Sequence, residues 1–247
     1  MSQSGSSTAI EIIDNFVAPE CKALVEIIYQ DRDILLINKP SGLLSLSGKN
    51  PLNWDSVHYR LVNGQIGVDG QQATPVFAEA KLPHRLDLGT SGIMVVGLNR
   101  EASKSLNQQF QTRTVQKCYL AMLSGWVEAD SGQICAPIAK DKTLFPRVKI
   151  CHETGKSATS DYQVIQRLDN PARTLVQYSP VTGRTHQLRI HSLEFGHPII
   201  GCDLYNNLDL SNSHQSQSQR LMLHASDIYF THPTTGEAMH GHSPNPF

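Results

Sequence analysis

The sequence has no hydrophobic run long enough to cross a membrane. Stretches such as residues 34–37 and 93–96 hold only a few apolar residues, where a spanning helix needs about 20. Residues 1–9 (MSQSGSSTA) have no basic flank and lead into no long apolar segment, so a secretory signal is not indicated. The five cysteines, Cys21, Cys118, Cys135, Cys151 and Cys202, are odd in number and contain no CxxC pair. Neither a disulfide framework nor a zinc knuckle follows from them, and a reducing, cytoplasmic setting is expected. The chain also lacks an overall basic excess, with a net charge of −1.

What is present is an ordinary globular composition, 39% hydrophobic and 17% charged over 247 residues, enough for one large domain with its own core. The charge is unevenly spread. Residues 1–83 hold six basic against nine acidic side chains, giving −3, whereas residues 104–189 hold twelve against six, giving +6. A positive stretch of that kind can attract phosphates in a chain whose total is near neutral. A solvated surface of mixed charge would look the same.

Pattern and punctuation predict strands over residues 25–29 and 33–38, the second stopped by Lys39-Pro40-Ser41-Gly42. Residues 63–75 read as a glycine-rich loop. A buried strand is expected over 92–98, then a helix over about 100–111 with Asn99 as N-cap and Ala102, Leu106 and Phe110 on one face. A strand over 117–123 follows. Residues 158–168 and 174–179 should form a hairpin around Asp169-Asn170-Pro171. A helix over about 185–195 should close at Gly196. Residues 206–219 read as a polar loop, and 221–225, 227–231 and 237–240 as closing strands. Strands outnumber helices and hairpins dominate, which implies an α+β domain with a mainly antiparallel mixed sheet and flanking helices. Residues 1–23 are expected to be a flexible leader and 24–247 a single domain.

Three segments carry residue types suited to chemistry. HRLDLGTSG (residues 84–92) places Asp87 on a glycine-bounded turn before a buried strand, where a carboxylate can face a cleft. Arg85 would favour its ionised form. A turn whose aspartate caps its own backbone fits the same spacing. A serine nucleophile elbow does not, because the pattern is G-x-S-G running into a strand. In TGRTHQLRIH (residues 182–191), Arg184 precedes a helix N-terminus, a place that favours an anion. His186 and His191 are five apart, which is not the spacing of two metal ligands on one helical face. In KCYLA (residues 117–121), Tyr119 is either core or a stacking surface for a nucleobase.

HRLDLGTSG resembles the signature of the RluA family of pseudouridine synthases. NKPSG (residues 38–42), KCYLA, TGRTHQLRIH, GHPIIGCDLY (residues 196–205) and LMLHA (residues 221–225) follow in that family's order over about residues 24–245. The resemblance implies the pseudouridine synthase fold with a central catalytic cleft, and an enzyme that isomerises uridine in structured RNA. It implies Asp87 as the essential carboxylate, Tyr119 as the tyrosine against the target base and a candidate for proton removal at C5, and Arg184 as the arginine paired with Asp87. Arg85 would fill the space left by the flipped uridine and Leu223 would line the base pocket. Lys39, His84 and Arg189 are assigned with them to RNA contact. The target must leave its stack before the C1′–N1 bond is reached. The carboxylate then attacks C1′ or removes the 2′ hydrogen. No cofactor, metal or membrane partner is implied.

About 24 residues precede the resemblance, where many relatives carry a small RNA-binding domain, so recognition is expected from the catalytic domain itself. The stretch 137–156, with RVKICHETGK, is most like the branch of short synthases that modify both a 23S rRNA hairpin and a tRNA anticodon stem-loop, here expected as a monomer. The alternatives are the same chemistry on another tRNA or rRNA uridine, a non-catalytic RNA-binding module, and a hydrolase using Asp87 with His84. The retention of Asp87, Tyr119 and Arg184 together argues against the silent module.

Overall fold

Alternating and continuous apolar runs decide which strands are edge and which are core. In a computed structural model, which describes residues 16–67, 70–144, 146–205 and 218–247, β1 (Glu26–Gln30) and β2 (Ile34–Lys39) form a hairpin. Asp31 closes its turn by accepting the backbone N–H groups of Asp33 (2.7 Å) and Ile34 (2.8 Å). A short 3-10 turn leads to α1 (Val57–Asn63), capped by Ser56. β3 (Ser91–Gly97) is buried at every position, as its unbroken apolar run requires of a strand covered on both faces. α2 (Arg100–Thr112) starts where the sequence places it, with the Asn99 side chain accepting the Ala102 N–H at 2.9 Å.

Then come β4 (Gln116–Ser124), β5 (Ser131–Cys135), the short pair β6 (Ile138–Lys140) and β7 (Val148–Ile150), and the hairpin β8 (Thr159–Leu168) and β9 (Arg173–Pro180). α3 (Gln187–Glu194), β10 (Leu223–Thr231) and β11 (Ala238–His242) complete the fold. One sheet runs β1-β2-β3-β10-β4-β9-β8-β5, with β11 also paired to β10. Every pairing is antiparallel except β3 with β10. The expected α+β class with a mainly antiparallel mixed sheet is what the fold shows.

Two apolar clusters lie along this sheet. One gathers side chains of β2, β3, α1 and α2; the other gathers β4, β8, β9 and α3. Tyr119 packs against both.

Several elements differ from expectation for identifiable reasons. The strands expected at 221–225 and 227–231 are one strand with a bulge at Ser226: Ala225 pairs with Tyr119 but Asp227 pairs with Cys118. The extra residue slips the alternation, so Ala225 and Asp227 point to opposite faces. α3 starts at Gln187 because His186 takes a left-handed conformation (φ 52°, ψ 20°). Residues 16–23 do not behave as a free leader. Asn53 donates to the Phe16 carbonyl (2.7 Å) and accepts from the Ala18 N–H (2.8 Å), and Arg60 donates to the carbonyls of Cys21 and Ala23. Residues 1–15, and residues 206–217 of the expected polar loop, lie outside the described residues.

Candidate active site

Asp87 sits on the turn that feeds β3, and the NKPSG segment grips that turn from behind. Ser45 accepts the Leu86 N–H and donates to its carbonyl, Gly42 donates to the Leu88 carbonyl (2.8 Å), and Ser41 donates to the Gly89 carbonyl (2.7 Å). The Lys39 ammonium is fully buried and donates to the carbonyls of Pro40 (3.0 Å), Leu88 (3.2 Å) and Thr90 (2.7 Å). Three donors meet three acceptors, so Lys39 is a strut inside the turn. This corrects its assignment to RNA contact, since no part of it reaches solvent. Burial pushes its pKa down to about 7 while the Asp87 charge pulls it up. The three carbonyl acceptors add to that upward pull. At the far end of the turn Gly92 has φ +117°, and a Cβ there would lie 2.2 Å from the Ala225 carbonyl oxygen. Only glycine lets β3 approach β10 this closely, and that approach brings Asp87 beside the start of β10.

If Lys39 is a strut, and the turn serves the synthase chemistry that the sequence resemblance implies, Lys39→Met should lower turnover at saturating RNA about 10–100-fold, the cost of displacing the Asp87 turn by a fraction of an ångström. RNA affinity should stay near wild type. Loss of affinity with unchanged saturating turnover would instead restore the RNA-contact role.

The Asp87 carboxylate is partly exposed and faces His186, whose Nε2 lies 3.9 Å from Oδ1. The other ring nitrogen, Nδ1, is 2.9 Å from the Tyr205 hydroxyl. That hydroxyl already accepts the Val148 N–H at 2.8 Å, so its own hydrogen is available to Nδ1. This assigns the imidazole hydrogen to Nε2, facing the carboxylate. Burial lowers the His186 pKa, with Arg189 and Arg85 acting the same way against Asp87. A neutral N–H donor therefore stands opposite Asp87. Sequence reading weighed His186 only as a metal ligand and missed this position. Its signal is the residue's place directly before a helix in a motif shared with two arginines.

Arg184 is not the partner of Asp87. Its Nε donates to the Ser157 carbonyl (3.1 Å) and its backbone N–H to Gln187 Oε1 (3.0 Å). No ion pair joins it to Asp87 among the described residues. The left-handed turn at His186 sends the chain round so that Arg189, five residues after Arg184, points inward. Arg189 is buried, lies 5.4 Å from the Tyr205 ring centroid, and donates to Asp203 Oδ1 (2.5 Å) and Cys202 Sγ (3.3 Å). Its charge interacts with that of Asp87. Arg189 thus supplies positive charge behind the carboxylate, which corrects both its own assignment to RNA contact and the pairing expected of Arg184.

Tyr119 on β4 faces the same side as Ala225, and Ala121 the same side as Leu223, by register. Leu223 is buried here as an apolar wall. The Tyr119 pKa is raised, first by burial and then by the Asp87 charge, so its phenol is neutral. Arg85 is exposed on the turn. His84 turns inward: its ring stacks on Phe110 (4.6 Å between centroids), and Nε2 accepts the Val95 N–H at 3.1 Å. It braces β3 and α2, which corrects its assignment to RNA contact and removes it as a partner for Asp87 in a hydrolase.

Four histidines are held neutral by burial: His84, pushed down to about 3, and His186, His191 and His224, all lowered. In the unfolded chain each binds a proton near 6.5, but in the fold only at lower pH. Their contribution to stability is full above pH 6.5 and lost as pH falls below it, at about 1.4 kcal/mol per pH unit for His84 alone. Melting temperature should drop steeply between pH 6.5 and 5. A flat profile there would contradict the neutral assignments.

A braced turn presents the Asp87 carboxylate near the neutral Tyr119 phenol and the apolar side chain of Leu223. Residues 33–194 match the RNA pseudouridylate synthase family, and the chain belongs to it: it is an isomerase that converts uridine to pseudouridine in RNA. It is 42% identical over 214 residues to "Dual-specificity RNA pseudouridine synthase RluA" of Yersinia pestis, covering 87% of this chain and 96% of that one. It is 37% identical over 236 residues to the protein of the same name from Escherichia coli strain K12, covering 95% and 99%. Among solved structures, Human RNA Pseudouridylate Synthase Domain Containing 1 superposes with a TM-score of 0.70 at 27% identity, covering 93% of this chain and 86% of that one.

Proposed function

We propose that this synthase has two substrates, a 23S rRNA hairpin and a tRNA anticodon stem-loop, and acts on them as a cytoplasmic monomer with Asp87 as the catalytic carboxylate. The observation that carries the dual specificity is identity of 37–42% over most of the chain to relatives named for it. In the reaction the uridine leaves its stack and enters the seam between the two apolar clusters, its ring against Tyr119 and Leu223. Asp87 acts at the ribose, the C1′–N1 bond breaks with its electron pair going to the uracil, the ring turns and C5 joins C1′; the C5 proton then leaves to solvent and N1 takes one up. Arg189 supports the negative charge of the carboxylate, and the neutral His186 N–H faces it at 3.9 Å. Arg85 occupies the gap that the uridine leaves in the stack.

Because the new bond forms at C5, RNA carrying 5-tritiated uridine releases tritium as it is modified. Both RNAs should release one equivalent, from one mapped uridine each. Release from only one of them would reduce the enzyme to a single specificity, and release from neither would refute the substrate assignment. Sedimentation of the free protein checks the monomer.

A further inference from the structure

The bulge at Ser226 has a second result: it turns Asp227 away from the catalytic face and toward two histidines of β11. Asp227 pairs with His242 and Tyr229 with His240 across the β10–β11 ladder. His240 and His242 are two apart on a strand, so both side chains leave the same face. His240 Nε2 and His242 Nδ1 each lie 2.9 Å from Asp227 Oδ1, and the three ligand atoms are all within 4.8 Å of one another. The His240 ring is held in orientation by stacking on Tyr229, 4.3 Å between centroids and 3° between planes.

We propose that Asp227, His240 and His242 bind one divalent cation of the zinc type, independently of the uridine site. Two imidazole nitrogens and one carboxylate oxygen form a borderline-soft set, suited to Zn²⁺ and poorly matched to Mg²⁺ or Ca²⁺, which take oxygen ligands. An ion about 2.0–2.1 Å from each of three tetrahedral ligands spaces them by roughly 3.3 Å. The two observed separations of 2.9 Å need to open by only a few tenths of an ångström. The histidine side chains are 48% and 56% exposed, which leaves them room to move. Three protein ligands leave one tetrahedral position for water. The bound ion would tie β11 to β10.

The test uses the full chain, stripped with chelator and titrated with Zn²⁺ by calorimetry. One equivalent should bind, and a large excess of Mg²⁺ should not compete. Thermal melts should shift upward with Zn²⁺. In the double variant His240→Gln/His242→Gln, checked for an unchanged circular dichroism spectrum, affinity should fall by more than the ~100-fold that losing an outer-shell partner costs, and the melting shift should disappear. Co²⁺ in place of Zn²⁺ should give tetrahedral d–d bands without a thiolate charge-transfer band. Absence of binding to the wild-type chain, or equal binding by the double variant, would overturn the proposal: the histidines would then simply donate hydrogen bonds to Asp227. Should the double variant fail to fold, Asp227→Asn serves in its place and must also lose the site.

Discussion

Asp87→Asn is expected to lower tritium release by about 10⁴-fold or more, as loss of a nucleophile or base does in other enzymes. The amide keeps the size of the side chain and removes the charge proposed to act at the ribose. Stability should change by no more than about 0.5 kcal/mol, the usual range for a partly exposed side chain outside a hydrogen-bond network. The turn is held through backbone carbonyls and Lys39 rather than through the carboxylate, whose nearest charged-type contact, His186 at 3.9 Å, is neutral and forms no ion pair with it. RNA affinity should likewise persist, because the excess positive charge lies elsewhere. Residual turnover within tenfold of wild type would remove Asp87 from its role.

The second large effect separates two arginines that the motif TGRTHQLR does not rank. Arg189→Lys should cost roughly 10²–10³-fold in turnover at saturating RNA, the scale for removing one preorganised electrostatic contact. Lysine keeps a charge but loses the planar fork that reaches Asp203 and Cys202 together. Arg184→Lys should stay within a few fold, since among the described residues its guanidinium donates to the Ser157 carbonyl. The opposite ranking, with Arg184 critical and Arg189 tolerant, would show that the substrate draws Arg184 onto Asp87 and that the free-state geometry misleads.

The elements most legible in the sequence are those whose local chemistry and tertiary role agree. Asn99 caps α2 and the apolar run of β3 is buried, because nothing competes with either signal. The turn that carries Asp87 ahead of the buried strand β3 was legible from its glycine-bounded spacing. What escaped was set by distant packing. No periodicity says that His186 would be left-handed, yet this turn swaps which arginine faces the carboxylate. Lys39 and His84 were assigned to RNA contact because they stand in the NKPSG and HRLD motifs beside Asp87. Here three backbone carbonyls satisfy the one, and an amide with a phenyl ring satisfies the other. The bulge at Ser226 was read as a break between strands, since a lost alternation and a chain reversal look alike in sequence. The short strands β5, β6 and β7 have too few residues to show a period at all.

The seam between the two apolar clusters has a dynamic consequence. β3 and β10 share only two paired positions, Ser91 with His224 and Gly92 with Ala225, whereas β10 and β4 share six. The sheet is continuous in backbone but thinly laddered where the Asp87 turn meets it. The two halves should then behave as separate cooperative units in native-state amide exchange, β2 and β3 opening with one free energy and β4, β8 and β9 with another. A uridine held between Tyr119 on one unit and Asp87 on the other would join them. Substrate RNA should therefore bring the two exchange free energies together, even where it touches neither set of amides.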